Sequence, residues 1–244
     1  MWKCLSEHPN IFLAETDHIH YFTTKFHYGH DWYLDHFSSS NGQSIIGDTT
    51  PQYAKFDDAR ERMYSFNPEA KIVLMMRHPI FRAWSHYKHE KRRGITNAPF
   101  TFSLYGNTDI YRAWIETGFY DKHYVNLLKF FPKEQIYCVL FDDVEKKPKE
   151  VLQGVLKFLG VDHSHEFTFQ SKKFNSSTSK LNKGLSNELN QDYKQSDYFN
   201  QTINFDSLLD ELTEINIPHI ENLEILLNRN LSEWKRKPDI SAFQ

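Results

Sequence analysis

The segment that most restricts what this chain can fold into is KIVLMMRHPIFRAWSHYKHEKRRG, residues 71–94. Five apolar residues in a row, Ile72 to Met76, make a run of strand length that suits a parallel strand covered on both faces. Arg77 and His78 stand where that strand ends, and Pro79 supplies the φ angle that a first helical turn accepts. Phe81, Trp84 and Tyr87 then recur at helical spacing, with Ser85 on the same segment about two turns in. Lys91, Arg92 and Arg93 set cations against the negative end of the helix dipole, and Gly94 reads as the stop. Arg offers an anion a planar fork of donors and Ser a short hydroxyl, so this junction is a candidate anion site. The same spacing also fits a buried strand–helix unit whose Arg77 pairs with a carboxylate.

Periodicity further along supports an α/β chain. Tyr120, Tyr124, Leu127, Leu128 and Phe131 mark one helix face that Pro132 ends, and Ile136 to Phe141 reads as a second buried strand. A helix is expected over 148–159, with Val151, Leu152, Val155, Phe158 and Leu159 inward and Gly160 as its cap. Strand, helix, strand, helix at this spacing implies right-handed crossovers and a parallel sheet. Earlier, Ile11 to Ala14 and Ser44 to Asp48 read as short strands, and a short helix after Gly29 carries Trp32, Tyr33 and Phe37. Near the end, 218–234 reads as an amphipathic helix with Ile220, Leu223, Ile225, Leu226, Leu227 and Leu231.

The length, 244 residues, suits one domain spanning 1–244 with a substantial core. A formal net charge of −3 gives no global basic field of the kind nucleic acid attracts. Two cysteines, Cys4 and Cys138, argue against a disulfide framework, and apolar runs of about five residues fall far short of a membrane span. Residues 1–22 lack the layout of a signal peptide, which points to a cytoplasmic protein. The histidines lack ligand spacing such as His-Glu-x-x-His, so no metal is expected.

RHPIFRAWSHY resembles the 3′-phosphate-binding segment of the sulfotransferases, which take sulfuryl groups from 3′-phosphoadenosine 5′-phosphosulfate. The shared pattern is Arg, any residue, Pro, then Arg-Ala-Trp/Tyr-Ser-x-Tyr. The resemblance extends along the chain, through LSEHP at 5–9, DHIHYF at 17–22, HDWY at 30–33 and GDTTPQY at 47–53. It is strongest toward the bacterial and heparan-modifying branches. It implies a three-layer α/β sandwich around a central parallel sheet, P-loop-like, with the donor as cosubstrate and a small-molecule or glycan acceptor. A eukaryotic member of the family would sit in the Golgi lumen.

By this resemblance Arg77 and Ser85 hold the 3′-phosphate, and Lys180, Lys183 and Gly184 in the polar loop 171–184 close over it. The family's general base is a Glu, and His18 stands at its position. A neutral imidazole can do the same work at pH 7, although His18 also reads as a solvated loop residue. His20 matches the family's His and either orients substrate or packs. Asp48 replaces the family's second Glu and either faces the crevice at a strand's end or caps the next turn. Thr49 stands where the heparan branch carries Lys, so that branch's acceptor does not transfer with the motif. Trp114 to Gly118 are expected to line the acceptor cleft, and Tyr120 to face the acceptor or to serve the architecture.

The family's Lys-x-Gly-Thr-Thr loop, which binds the 5′-phosphosulfate, is absent from the sequence, and its first strand has no counterpart. The true start is therefore expected upstream of Met1, with an omitted segment or a natural remnant as alternatives. The competing class is a non-catalytic nucleotide- or glycan-binding protein on the same fold. A P-loop kinase ranks third, since neither Walker motif is present.

Overall fold

A computed structural model describes residues 1–16, 18–105, 108–167 and 205–243. In it the chain forms two compact units, residues 1–76 with 123–167 and residues 77–122 with 205–243.

The first unit holds the strands. Helix α1 (Trp2–Leu5) leads to β1 (Ile11–Leu13), then α2 (Gly29–Asp35), β2 (Ile45–Gly47), α3 (Asp57–Phe66) and β3 (Ile72–Met76). The strand β1 pairs in parallel with β2, Ile11 opposite Ile45 and Leu13 opposite Gly47. After the second unit's first segment, β4 (Ile136–Leu140) lies parallel to β3, with Ile72 opposite Ile136 and Met76 opposite Leu140. Lys71 ties this pair to the end of a following helix, its ammonium donating to the carbonyls of Phe158 and Leu159, both at 2.9 Å.

Parallel pairing follows from the strand–helix alternation, but the strands form two pairs, and among the described residues no strand joins β2 to β3. That division has a visible effect on burial. Met76 is fully buried, as a doubly covered strand requires, whereas Met75 is 40% exposed and Ile46 on β2 is 51% exposed. Parallel strands become apolar throughout only where layers cover both faces, and one face of β3 opens at Met75. Aromatic side chains build this unit's core: Tyr21, Phe22, Tyr33, Phe37 and Tyr53 pack around Ile19, with the Tyr21 and Tyr33 rings stacked at 4.5 Å.

The second unit is helical: α4 (Pro79–Arg92), α5 (Phe102–Tyr105) and α6 (Thr108–Trp114). Helix α7 (Tyr120–Leu128) begins in it and ends in the first unit, which continues after β4 with α8 (Phe141–Lys146) and α9 (Pro148–Leu159). Helix α10 (Phe205–Leu227) completes the second unit. Helix α4 starts as its sequence suggests, with Pro79 in the first turn and the His78 ring accepting the Ile80 N–H. Its buried face, Ile80, Ala83, Trp84 and Tyr87, packs with Phe100, Trp114, Ile115, Phe119 and three leucines of α10.

Three expectations change here. Helix α10 does not start at Pro218 but runs through it. An internal proline costs roughly 3 kcal/mol. Leu208, Leu209 and Leu212, all wholly buried, each return about 1.5–3 kcal/mol, so burial outweighs the break. Ile225, expected inward, is 80% exposed. Trp114, expected in a cleft, is 1% exposed and donates from Nε1 to Glu90 Oε2 at 2.6 Å, so it belongs to the core. Both cysteines are free thiols, and no described helix is long and apolar enough to cross a membrane.

Candidate functional site

In the second unit, the strand-to-helix junction opens on a cleft of about 340 Å³ lined by Arg77, Arg82, Ser85, His86, His89 and Arg92. Helical geometry explains the grouping: positions 82, 85, 86, 89 and 92 repeat every three or four residues and share one face of α4. Arg77 enters from the strand side, where its backbone N–H donates to the Tyr120 hydroxyl at 3.2 Å. Tyr120 is thereby fixed as architecture, its phenol pKa raised by burial against the opposing pull of Arg82 and Arg77.

Arg82 turns inward and donates to the carbonyls of Ala113 and Trp114 at the end of α6, while its buried Nε finds no partner among the described residues. Glu90 is committed, receiving Trp114 Nε1 and the His86 Nε2 at 3.2 Å. Lys88 stands close by, its pKa lowered by burial and then by the like charges of Arg77 and Arg92. Cations crowded against cations raise the local potential, and an oxyanion relieves that repulsion. Ser85, exposed on the cleft face, adds a hydroxyl within the same wall.

In the first unit, the histidine segment adopts a backbone that these residues rarely take. His18 has φ 59° and His20 φ 60°, both left-handed, on either side of the wholly buried Ile19. Each such residue costs on the order of 1–3 kcal/mol and persists only where its surroundings over-determine it. At His20 they do. The His20 N–H donates to Thr50 Oγ1 at 3.2 Å, and its carbonyl accepts Thr23 N–H, Lys25 N–H and Thr23 Oγ1.

Thr50 is held in turn by Asp48, whose Oδ1 accepts the Thr50 N–H at 2.9 Å and hydroxyl at 2.7 Å. The other carboxylate oxygen accepts the Tyr53 hydroxyl at 2.6 Å. Tyr33 feels the same carboxylate: burial first, then Asp48, pushes its phenol well above the ordinary range. Asp48 therefore sits inside a ring of donors and supports the His20 backbone through Thr50.

The two rings stand edge to face at 6.1 Å, His18 exposed and His20 half-buried. Burial lowers the His20 pKa, the nearby His18 and Lys25 charges lower it further, and Asp48 and Gln52 act the other way. A half-buried imidazole kept neutral is in the protonation state that accepts a proton.

A family model described as the sulfotransferase family matches residues 4–165, more than half of the sequence. The chain belongs to the sulfotransferase family. Among curated relatives, the human heparan sulfate glucosamine 3-O-sulfotransferase 5 is 32% identical over 170 residues, 65% of this chain and 49% of the relative. The mouse bifunctional heparan sulfate N-deacetylase/N-sulfotransferase 3 is 28% identical over 165 residues, 61% of this chain and 19% of the relative. The chain thus spans about half the length of the former and a fifth of the latter. A sulfotransferase from Alicyclobacillus acidocaldarius shares the fold, with a TM-score of 0.74 and 24% identity over 96% of this chain and 92% of that one. The sulfotransferase α/β fold, P-loop-like with parallel strands, is thereby established for this chain.

Within this family member the structure brings Arg77 and Ser85 to one cleft, and His18, His20 and Asp48 to one loop network. Lys180, Lys183 and Gly184 lie outside the described residues. Two residues escaped the sequence reading. Arg82 shares the helical face of Ser85, three residues away, so spacing alone could have flagged it. Arg62 bonds to residues about forty positions earlier, and no local pattern announces that.

Proposed function

We propose that this chain transfers a sulfuryl group from 3′-phosphoadenosine 5′-phosphosulfate to a hydroxyl or amine of a carbohydrate acceptor. The observation that carries this reading is the meeting of the Arg77 guanidinium and the Ser85 hydroxyl in one cation-rich cleft. Such a donor set suits a dianionic phosphate, which Arg grips with a fork of N–H groups and Ser with a single O–H. Arg77 and Ser85 would hold the ribose phosphate of the donor, and the donor supplies the activated sulfuryl group. Cations of the cleft lower the cost of bringing that charge out of water.

On the acceptor side, His20 or its exposed neighbour His18 takes the acceptor's proton as the new S–O or S–N bond forms and the S–O bond to the donor's 5′-phosphate breaks, releasing adenosine 3′,5′-bisphosphate. Asp48 holds Thr50 and through it the His20 backbone, and in this reading it orients the base. A carbohydrate acceptor is supported by the heparan sulfate relatives, whereas Thr49 argues against assigning their particular acceptor to this chain.

Calorimetry with adenosine 3′,5′-bisphosphate tests the donor site. The reading expects binding that weakens by about 100-fold in Arg77→Ala, a loss of some 2.7 kcal/mol. No heat with the wild-type chain would sink it. Sulfuryl transfer from labelled donor to a panel of glycans tests the chemistry, and tight binding without any transfer would favour a non-catalytic binding protein on this fold.

A further inference from the structure

Arg62 serves neither the anion cleft nor the proton, yet it makes long-range bonds of a kind that a surface helix arginine rarely makes. We propose that Arg62 is the positioning residue that locks the left-handed histidine pair, holding the His20 ring where the proposed acceptor proton must go. This rests on the functional reading above.

Arg62 projects from α3 and spans the turn that follows His20. Its Nη1 donates to the carbonyls of Phe22 at 3.1 Å and Thr23 at 3.2 Å. The guanidinium carbon lies 4.4 Å from the centre of the Phe26 ring, and Nη2 reaches Asp58 at 3.5 Å. One planar group thus grips two consecutive carbonyls, stacks on an aromatic face and is steadied from its own helix.

The turn it grips is the one that fixes His20. Thr23 and Lys25 return their N–H groups to the His20 carbonyl, so moving Phe22 or Thr23 releases that carbonyl. The Asp48–Thr50 pair holds the N–H side of His20, and Arg62 braces the other side through the turn. Lysine has donors enough for two carbonyls, as Lys71 shows, but its ammonium ends a bond short of the Nη1 position and has no planar face to lie on Phe26. The groups that act on the His20 ring are His18, Lys25, Asp48 and Gln52, and Arg62 acts on it through the backbone. Among the described residues the buried His20 Nδ1 has no hydrogen-bond partner, so a loosened turn would admit water to it.

The test compares full-length wild type, Arg62→Ala and Arg62→Lys. Ring ¹H–¹⁵N spectra, assigned with His20→Gln, follow the His20 titration. Sulfuryl transfer and adenosine 3′,5′-bisphosphate binding are measured on the same samples. In Arg62→Ala the His20 titration should rise toward the ordinary histidine value near 6.5. Turnover should fall about 100-fold, the scale of a misplacement near 1 Å, while donor affinity stays unchanged. Arg62→Lys should recover little of either.

A folded Arg62→Ala whose His20 resonances and titration match wild type overturns the proposal. Should that variant fail to fold, Arg62→Lys and Phe26→Leu, which removes the stacking face, apply the same criterion. Absence of transfer in the wild type would count against the functional reading, and the ring titration would still decide the part played by Arg62.

Discussion

Removing the Asp48 carboxylate gives a sharp test of how the histidine loop is built. The side chain accepts three hydrogen bonds, from the Thr50 N–H, the Thr50 hydroxyl and the Tyr53 hydroxyl, between 2.6 and 2.9 Å. Thr50 and Tyr53 are 7% and 6% exposed, so water cannot readily replace the lost acceptor. Hydrogen bonds to a charged group are worth roughly 1.5–3 kcal/mol each. Bonds that share one acceptor are not additive, and the half-buried carboxylate is partly hydrated already.

We therefore expect Asp48→Ala to destabilise the fold by about 3–4 kcal/mol. Asp48→Asn keeps an oxygen for Thr50 and loses the Tyr53 bond, so it should cost about 1–2 kcal/mol. Urea denaturation of both variants, each with and without Tyr53→Phe, measures the coupling directly. Tyr53→Phe should cost about 1–1.5 kcal/mol in the parent and far less once Asp48 is gone. An Asp48→Ala cost below about 1 kcal/mol, or a Tyr53→Phe cost that is equal in both backgrounds, would refute the network.

Two more outcomes follow from the same geometry. The His20 pKa in the folded chain lies below that of the unfolded chain, so the unfolded state binds the extra proton first. Stability should be complete above about pH 6.5 and decline as pH falls below it, and His20→Gln should flatten that slope in urea midpoints taken between about pH 5 and 7. A steeper decline in His20→Gln would reverse the assignment. Burial pushes the Cys138 thiol up to about 12, which cuts its thiolate at neutral pH by about a thousandfold. Cys138 should ignore a disulfide-exchange reagent in the native protein and react once urea unfolds the chain. Rapid native labelling would mean that β4 opens far more readily than its pairing with β3 implies.

What the sequence disclosed depended on whether the determining interaction was local. Arg77, Pro79 and Ser85 lie within one strand–helix junction, where period, proline position and helix face all agree, and Arg77 and Ser85 line one cleft. Gly160, in the left-handed conformation at the end of α9, was legible for the same reason. Pro218 misled because a proline is a strong local signal for a start, and the decisive term was the burial of Leu208, Leu209 and Leu212 ten residues and less before it. Met75 misled because an unbroken apolar run cannot say how many layers will cover it. Arg62 was invisible because its partners, Phe22 and Thr23, belong to a turn distant in sequence. Asp48 was legible as a polar residue at a strand's end, and its two readings parted only when the positions of Thr50 and Tyr53 were known.

The cleft draws its side chains from residues 77–92, whereas the bonds that brace His20 all come from residues 20–62. Separate supports of this kind are separately mutable. A lineage could rework the turn after His20 without disturbing the cleft proposed to hold the donor, so that a change in one region need not carry a change in the other.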